Sequence, residues 1–159
     1  MTAHLSPHFT LEEMTASATA AEHGFANLPD DAALRNLRRL AAVLEGAREV
    51  LGCPLAITSG YRSRALNAVT PGASKTSAHC DGRAMDFRPA TGPLDPQGDL
   101  DAAFDQLRAS IVLYDQLIRE PTWLHLGIAR PGAMPRREAL IAHRDEHGAV
   151  SYTPAPETV

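Results

Sequence analysis

The sequence predicts an α+β domain in which N-terminal helices pack on a small, mostly antiparallel sheet. Segments with the period of an amphipathic helix occupy the first third of the chain, whereas short apolar segments bounded by turn residues dominate from residue 54 onward. The length of 159 residues suits one hydrophobic core. We therefore expect a single domain over residues 1–159, with a frayed tail from about residue 153.

The first two helices are predicted from their capping residues. Thr10 followed by Glu13 forms a capping box, which predicts a helix that runs to about Ala20. Residues 28–31 open a longer helix, whose leucines recur every three or four residues and form one apolar face. Gly52 ends this helix, because glycine adopts the left-handed conformation that closes a helix at little cost.

The strands are predicted from short apolar or alternating segments between turn residues. Five segments fit this description, over residues 54–59, 83–88, 114–119, 123–128 and 138–142. We expect the last of them to be an edge strand. A short helix is predicted over residues 61–69, and a last helix from a cap at Asp99 or Asp101 to about residue 113. Residues 70–78 and 89–98 are rich in proline and glycine and are predicted to be loops.

The composition excludes several classes of partner. The net charge is −4 and Lys75 is the one lysine, so the chain lacks a basic patch for nucleic acid. No apolar run reaches the roughly 18 residues that a membrane span needs. The N-terminus lacks the features of a secretory signal, so we expect synthesis in the cytoplasm without a signal peptide. Cys53 and Cys80 form no C-x-x-C unit, which favours two free thiols; a disulfide between them is the alternative.

The segment SAHCDGRAMD has the form S-x-H-x-x-G-x-A-x-D and holds two candidate metal ligands. His79 lies in a predicted loop, and Asp86 follows seven residues later in the next predicted strand. Gly82 would supply the backbone angles of the turn between them, so that both side chains could meet at one metal. An isolated pair with this spacing is more often a loop histidine that an aspartate orients.

A second histidine makes a metal site the favoured interpretation of this segment. His125 lies in the apolar strand segment WLHLG, where a lone histidine would usually be a core residue. Together with His79 and Asp86 it completes two imidazoles and one carboxylate, a set that suits zinc with the fourth position left open for catalysis. Glu120, five residues before His125, is a candidate general base, although alone it could equally be an exposed acid at a strand end.

Five ordered motifs, HFTLEEM, ITSGYRS, SAHCDGRAMD, DQLIRE and WLHLG, carry a resemblance to a known family. The chain resembles the M15 zinc D,D-carboxypeptidases and endopeptidases, which cleave the peptides of bacterial peptidoglycan, and in particular the short phage- and prophage-associated members. The hedgehog signalling domain shares this zinc fold without needing peptidase activity, so the fold alone does not give the function.

The resemblance implies a role for each residue of the motifs. Zn²⁺ would be bound by His79, Asp86 and His125, and Glu120 would be the general base that activates water at the zinc. Arg62 would act in catalysis, near the scissile carbonyl or a substrate carboxylate, and would bind substrate together with Ser77 and the neighbouring Tyr61.

Two alternatives stay open at this point. The chain could be a catalytically silent zinc module that binds the cell wall or a protein partner, or a cytoplasmic dipeptidase that acts on D-Ala-D-Ala. A serine peptidase is not indicated, because no serine has a lysine three residues later. Our preferred hypothesis is a peptidase that reaches the bacterial cell wall after phage-type release or as a virion component. The sequence specifies neither the bond that is cleaved nor the oligomeric state.

Overall fold

The computed structural model describes residues 3–91 and 96–156, and these residues form an α+β fold that confirms the predicted class. The helices are α1 (Leu11–Thr15), α2 (Ala18–His23), α3 (Asp31–Leu51), α4 (Arg64–Val69) and α5 (Pro96–Ala109), with a 3₁₀ turn at Ala78–Asp81. The strands are β1 (Leu55–Ser59), β2 (Ala84–Pro89), β3 (Gln116–Arg119), β4 (Leu124–Gly127), β5 (Glu138–Arg144) and β6 (Val150–Pro154).

The six strands form one sheet in the order β1-β2-β4-β3-β5-β6. Every neighbouring pair is antiparallel except β3 and β5, which are parallel, so the sheet is mostly antiparallel as predicted. The prediction that β5 is an edge strand is wrong, because β6 pairs with its outer side. The chain therefore continues as a paired strand to Pro154, where the sequence had indicated a frayed tail.

A tight turn explains this additional strand. The Asp145 carboxylate accepts hydrogen bonds from the backbone N–H groups of His147 and Ala149, at 2.9 and 2.8 Å. Gly148 supplies a φ of 82°, and its N–H donates to the Asp145 carbonyl at 3.0 Å. An aspartate that bonds its own turn, followed by a glycine, favours chain reversal. The turn folds β6 back onto β5.

The N-terminal helix is interrupted where the sequence predicted it to continue. Thr10 caps α1 as expected, and its hydroxyl accepts from the Glu13 N–H at 3.1 Å. However, Ala16 is extended, and the Ser17 hydroxyl accepts from the Ala20 N–H at 3.1 Å and so begins a separate helix. Serine competes for backbone hydrogen bonds in this way, which explains why one predicted helix is two.

The other predicted helices are present with shifted ends. Helix α3 starts within the predicted residues 28–31, with Asp30 as its N-cap, and Gly52 is its C-cap as predicted. Helix α5 begins at Pro96, earlier than the expected Asp99 or Asp101, because proline is well accommodated in the first helical turn. It ends at Ala109, since the Ser110 hydroxyl bonds the Leu107 carbonyl and the Val112 N–H. Residues 92–95 of the predicted loop lie outside the described residues.

None of the helices in the described part of the chain is long and apolar enough to cross a membrane.

The two faces of the sheet have different environments. The face that packs against α3 and α5 carries fully buried side chains, namely Met85, Phe87, Leu117, Leu124 and Leu126. On the opposite face, the strand register places four residues in one row across β2, β4, β3 and β5, namely Asp86, His125, Ile118 and Leu140. This row lines an open cleft. The helical layer therefore leaves one face of the sheet free for a site.

Gly82 links the 3₁₀ turn to β2 in a space that admits no side chain. Its φ is 67°, and an ideal Cβ would lie 2.5 Å from the Ala33 carbonyl oxygen and 3.1 Å from Leu37 Cγ. We expect Gly82→Ala to lower the free energy of unfolding by about 3 kcal/mol, because backbone strain and a clash with α3 combine. Urea denaturation would measure this loss.

Gly52→Ala is the matched control for this prediction. Gly52 has nearly the same φ, 64°, but no described atom lies within 4 Å of its ideal Cβ. Its replacement should cost only the backbone strain of about 1 kcal/mol. Equal losses in the two variants would show that the contact between Gly82 and α3 contributes nothing to stability.

Candidate metal centre

Three different elements bring the predicted ligands together. His79 lies in the 3₁₀ turn, Asp86 on β2 and His125 on β4. Asp86 and His125 are directly opposite each other in the antiparallel register, so their side chains share the open face. One donor atom from each of the three residues lies within 4.8 Å of the other two.

The distances between these donor atoms are short. The Asp86 Oδ1 lies 2.8 Å from the His125 Nδ1 and 3.4 Å from the His79 Nε2. The two imidazole nitrogens, His79 Nε2 and His125 Nδ1, are 3.3 Å apart. His79 and Asp86 are buried, with 2% and 8% of their surfaces exposed, whereas His125 is partly open to the cleft. The three atoms therefore converge at the floor of the cleft.

A backbone contact orients His79. Its Nδ1 lies 2.8 Å from the Gly60 carbonyl oxygen, which can only accept, so Nδ1 carries the proton and Nε2 presents its lone pair to the site. Gly60 itself has no room for a side chain, because an ideal Cβ would lie 2.1 Å from the Met14 carbonyl oxygen. The sequence analysis did not identify this contact, since it depends on how β1 ends.

The charges at this cluster suit a divalent cation. Burial lowers the pKa of His79, and the charge of Asp86 and its hydrogen bond to His79 oppose this effect only in part. Burial alone would raise the pKa of Asp86, but the charge of His79 and the hydrogen bonds of both histidines outweigh it and hold that pKa well below its usual range. Neutral imidazoles and an ionised carboxylate are the forms that bind metal. Two nitrogens and one oxygen fit zinc.

Glu120 lies in the turn between β3 and β4 and lines the same cleft. Its N–H donates to the Trp123 carbonyl at 3.0 Å, and the Arg119 guanidinium donates to its carbonyl oxygen. Only 8% of its surface is exposed. Burial raises the pKa of the Glu120 carboxyl, and the negative charge of Asp86 adds to this effect. A carboxylate with a raised pKa beside a metal site is chemically suited to proton transfer.

Arg62 and Ser77 also line the cleft, on the side of the 3₁₀ turn. The Arg62 N–H donates to the His79 carbonyl at 3.2 Å, and its Nη2 donates to the Ser77 hydroxyl at 3.0 Å. The Ser77 hydroxyl also accepts from the His79 N–H at 3.3 Å, as the cap of the turn. These bonds fix a cation beside the predicted ligands.

Tyr61 is placed differently from the other predicted site residues. Its side chain packs in the hydrophobic core with 8% of its surface exposed, and it does not occur among the described residues that line the cleft. Its N–H donates to the Met14 carbonyl at 2.8 Å. Tyr61 therefore anchors the segment that carries Arg62.

Asn27 holds this segment from the other side, and the sequence analysis did not single it out. Its Nδ2 donates to the carbonyls of Thr15 and Tyr61 at 2.8 and 2.9 Å, and its Oδ1 accepts from the Ser63 N–H at 2.7 Å. All of its bonds go to backbone, so only the folded chain reveals them. Asn27 fixes the residues on both sides of Arg62.

The cleft has a volume of about 800 Å³ and extends beyond the cluster toward the β5–β6 hairpin. Tyr152 on β6 lines it, and the Tyr152 hydroxyl lies 3.5 Å from the Glu120 Oε1. The sequence analysis did not single out Tyr152, because it predicted no strand after residue 142. Cys80 neighbours His79, but the group of three converging ligand atoms does not include it; Cys53 and Cys80 are both free thiols.

Comparison with known proteins gives one match. A family model described as Peptidase M15 matches residues 7–113, a range that includes Arg62, His79 and Asp86, whereas Glu120 and His125 lie beyond it. No curated protein matches the chain. The matched range covers more than half of the 159 residues. The chain therefore belongs to the peptidase M15 family.

Proposed function

We propose that the protein is a zinc-dependent peptidase that hydrolyses amide bonds in the peptides of bacterial peptidoglycan. Membership of the peptidase M15 family, whose members are in general zinc-dependent, supports peptidase activity and a peptide substrate. The observation that carries the proposal is the convergence of His79, Asp86 and His125 within 4.8 Å at the floor of a cleft that Glu120 also lines. A structural zinc site would have no need of an open cleft with a buried acid.

The proposed ligand atoms are the His79 Nε2, the His125 Nδ1 and a carboxylate oxygen of Asp86. When bound there, zinc would act as a Lewis acid that polarises the scissile carbonyl and makes water more acidic. The protein's own contribution is to keep the ligands in their metal-binding forms. The Gly60 carbonyl fixes the His79 tautomer, and the strand register fixes Asp86 opposite His125.

Glu120 is the proposed general base. Its carboxylate takes a proton from the attacking water as the water oxygen bonds to the carbonyl carbon. It then gives that proton to the amide nitrogen, so that the C–N bond breaks and a neutral amine leaves. The burial that raises the pKa of the Glu120 carboxyl moves it closer to neutral pH, which favours both transfers.

Arg62 is the proposed cation for the substrate. The guanidinium is always charged and offers paired donors, which suit a developing oxyanion or a peptide carboxylate. Its bond to the Ser77 hydroxyl at 3.0 Å orients it in the cleft. We propose that Arg62 and Ser77 bind substrate together. Tyr61 then contributes by holding the Arg62 segment in place.

The substrate places the proposed site of action in the bacterial cell wall. Carboxypeptidase action on D-Ala-D-Ala and endopeptidase action on stem or cross-bridge peptides both fit the chemistry of the cleft. Release of the phage type, or delivery with a virion, stays a prediction.

Digestion of purified peptidoglycan tests the proposal. We expect zinc-loaded protein to release peptide fragments that mass spectrometry detects, and 1,10-phenanthroline to stop the release. The isomer 1,7-phenanthroline, which cannot chelate, should leave it unchanged, and added zinc should restore the inhibited reaction. The masses of the fragments would identify the bond. Intact wall after incubation with the zinc-loaded protein would contradict the proposal, and binding without cleavage would indicate a catalytically silent module instead.

A further inference from the structure

Tyr152 is a cleft residue to which the proposed mechanism gives no role. It lies on β6 opposite Ala142 of β5, and 51% of its surface is exposed. Its hydroxyl lies 3.5 Å from the Glu120 Oε1, across 32 residues of sequence. The sheet alone brings these two side chains together, since β5 separates β6 from the strand that leads to Glu120.

The Glu120 carboxylate needs a partner to fix its orientation. Its backbone is held at both ends, by the Trp123 carbonyl and by the Arg119 guanidinium. The side-chain torsions are not held by these bonds. In the described part of the chain, the Tyr152 hydroxyl, 3.5 Å from Oε1, is the one donor within reach of this carboxylate. The orientation of the proposed base therefore depends on a residue of the last strand.

The hairpin that carries Tyr152 is well supported. Strands β5 and β6 pair over five residues from Leu140 to Arg144, and the Asp145 carboxylate closes the turn between them. The next residue, Thr153, points to the opposite face, where its hydroxyl lies 2.8 Å from the His143 Nε2. Tyr152 and Thr153 thus present two hydroxyls from one strand, one to the proposed base and one away from it.

We infer that Tyr152 is a positioning residue that holds the Glu120 carboxylate by one oxygen and leaves the other to exchange the proton. The inference rests on the proposed function of Glu120. The phenol donates and Oε1 accepts, so Oε2 remains available to the reacting water. A carboxylate held in this way spends less time in rotamers that cannot reach the water.

Steady-state kinetics on a purified peptidoglycan stem peptide test the inference. Tyr152→Phe removes only the hydroxyl and should lower kcat about fivefold, with KM within twofold of the wild-type value. Thr153→Val removes the neighbouring hydroxyl and should leave both constants within twofold. Melting temperature and zinc content should match the wild type in both variants. An unchanged kcat, or a loss that appears only in KM, would overturn the inference.

A double-mutant cycle separates positioning of Glu120 from direct action on the substrate. Glu120→Asp keeps a carboxylate but withdraws it by one methylene from the Tyr152 hydroxyl. In this background, Tyr152→Phe should change kcat less than twofold, because the bond it removes is already lost. A persistent fivefold loss would mean that Tyr152 acts on the substrate, which would also overturn the inference.

An NMR measurement, which needs no substrate turnover, distinguishes failure of this inference from failure of the proposed function. In the metal-free protein, the carboxyl carbon resonance of Glu120 should move in Tyr152→Phe and stay in place in Thr153→Val. If the wild type hydrolyses no peptide, this resonance still reports the contact. If the wild type is active and the resonance does not move, the positioning role is wrong and the proposed function stands.

Discussion

Glu120→Gln is expected to lower kcat by about a thousandfold while leaving zinc content and KM nearly unchanged. The amide has the shape of the carboxylate but cannot take a proton from water at neutral pH. Glu120 is 8% exposed in a cleft wall, so the substitution should not disturb the core. Steady-state kinetics on a peptidoglycan peptide, with metal analysis of each preparation, would measure the effect.

Glu146→Gln is the matched control for this prediction. Glu146 lies in the turn of the β5–β6 hairpin, and its side chain is 87% exposed. The same chemical change there should leave kcat within twofold. If Glu120→Gln keeps more than a tenth of the wild-type kcat, another group must be the base. If it loses its zinc, Glu120 is a ligand and not a base.

Replacement of any of the three proposed ligands is expected to abolish zinc binding and hydrolysis together. His79→Ala, Asp86→Asn and His125→Ala should each weaken zinc affinity by more than about a hundredfold, since loss of a supporting residue alone costs up to that much. Asp86→Asn is the most informative of these, because it keeps the size of the side chain and removes only the charge. Isothermal titration of metal-free protein with zinc would give each affinity.

His143→Ala supplies the control for the histidine variants. His143 is exposed on β5 and bonds Thr153 on the face away from the cleft. Its removal should leave zinc affinity within about twofold. Zinc should also raise the melting temperature of the wild type and of this control, because a ligand that binds only the folded state stabilises it. If a ligand variant still shows the zinc-dependent increase in melting temperature, the replaced residue is not a zinc ligand.

The sequence predicted those parts of the site whose residues lie close together along the chain. His79, Gly82 and Asp86 lie within eight positions, and the turn between loop and strand follows from the glycine. Helix α3 was predicted almost to its ends, because its caps and its apolar face are local features. Asp86 and His125 lie opposite each other because of the register between β2 and β4. That register cannot be deduced from the local pattern of apolar residues.

The parts that the sequence did not predict depend on distant contacts. Tyr61 and Arg62 are neighbours, yet one packs in the core and the other lines the cleft, and no pattern in GYRS distinguishes them. Strand β6 pairs with β5, but the sequence analysis predicted no strand after residue 142 and so did not identify Tyr152. Backbone acceptors such as the Gly60 carbonyl have no sequence signature.

The most direct test of the central claim is a crystal structure of the zinc-loaded protein with anomalous data at the zinc edge. The account predicts one strong peak on the open face of the sheet, about 2.0–2.2 Å from the His79 Nε2, the His125 Nδ1 and an Asp86 oxygen. A zinc ion bound elsewhere, or one held by the Cys80 thiolate in place of any of these three atoms, would contradict it.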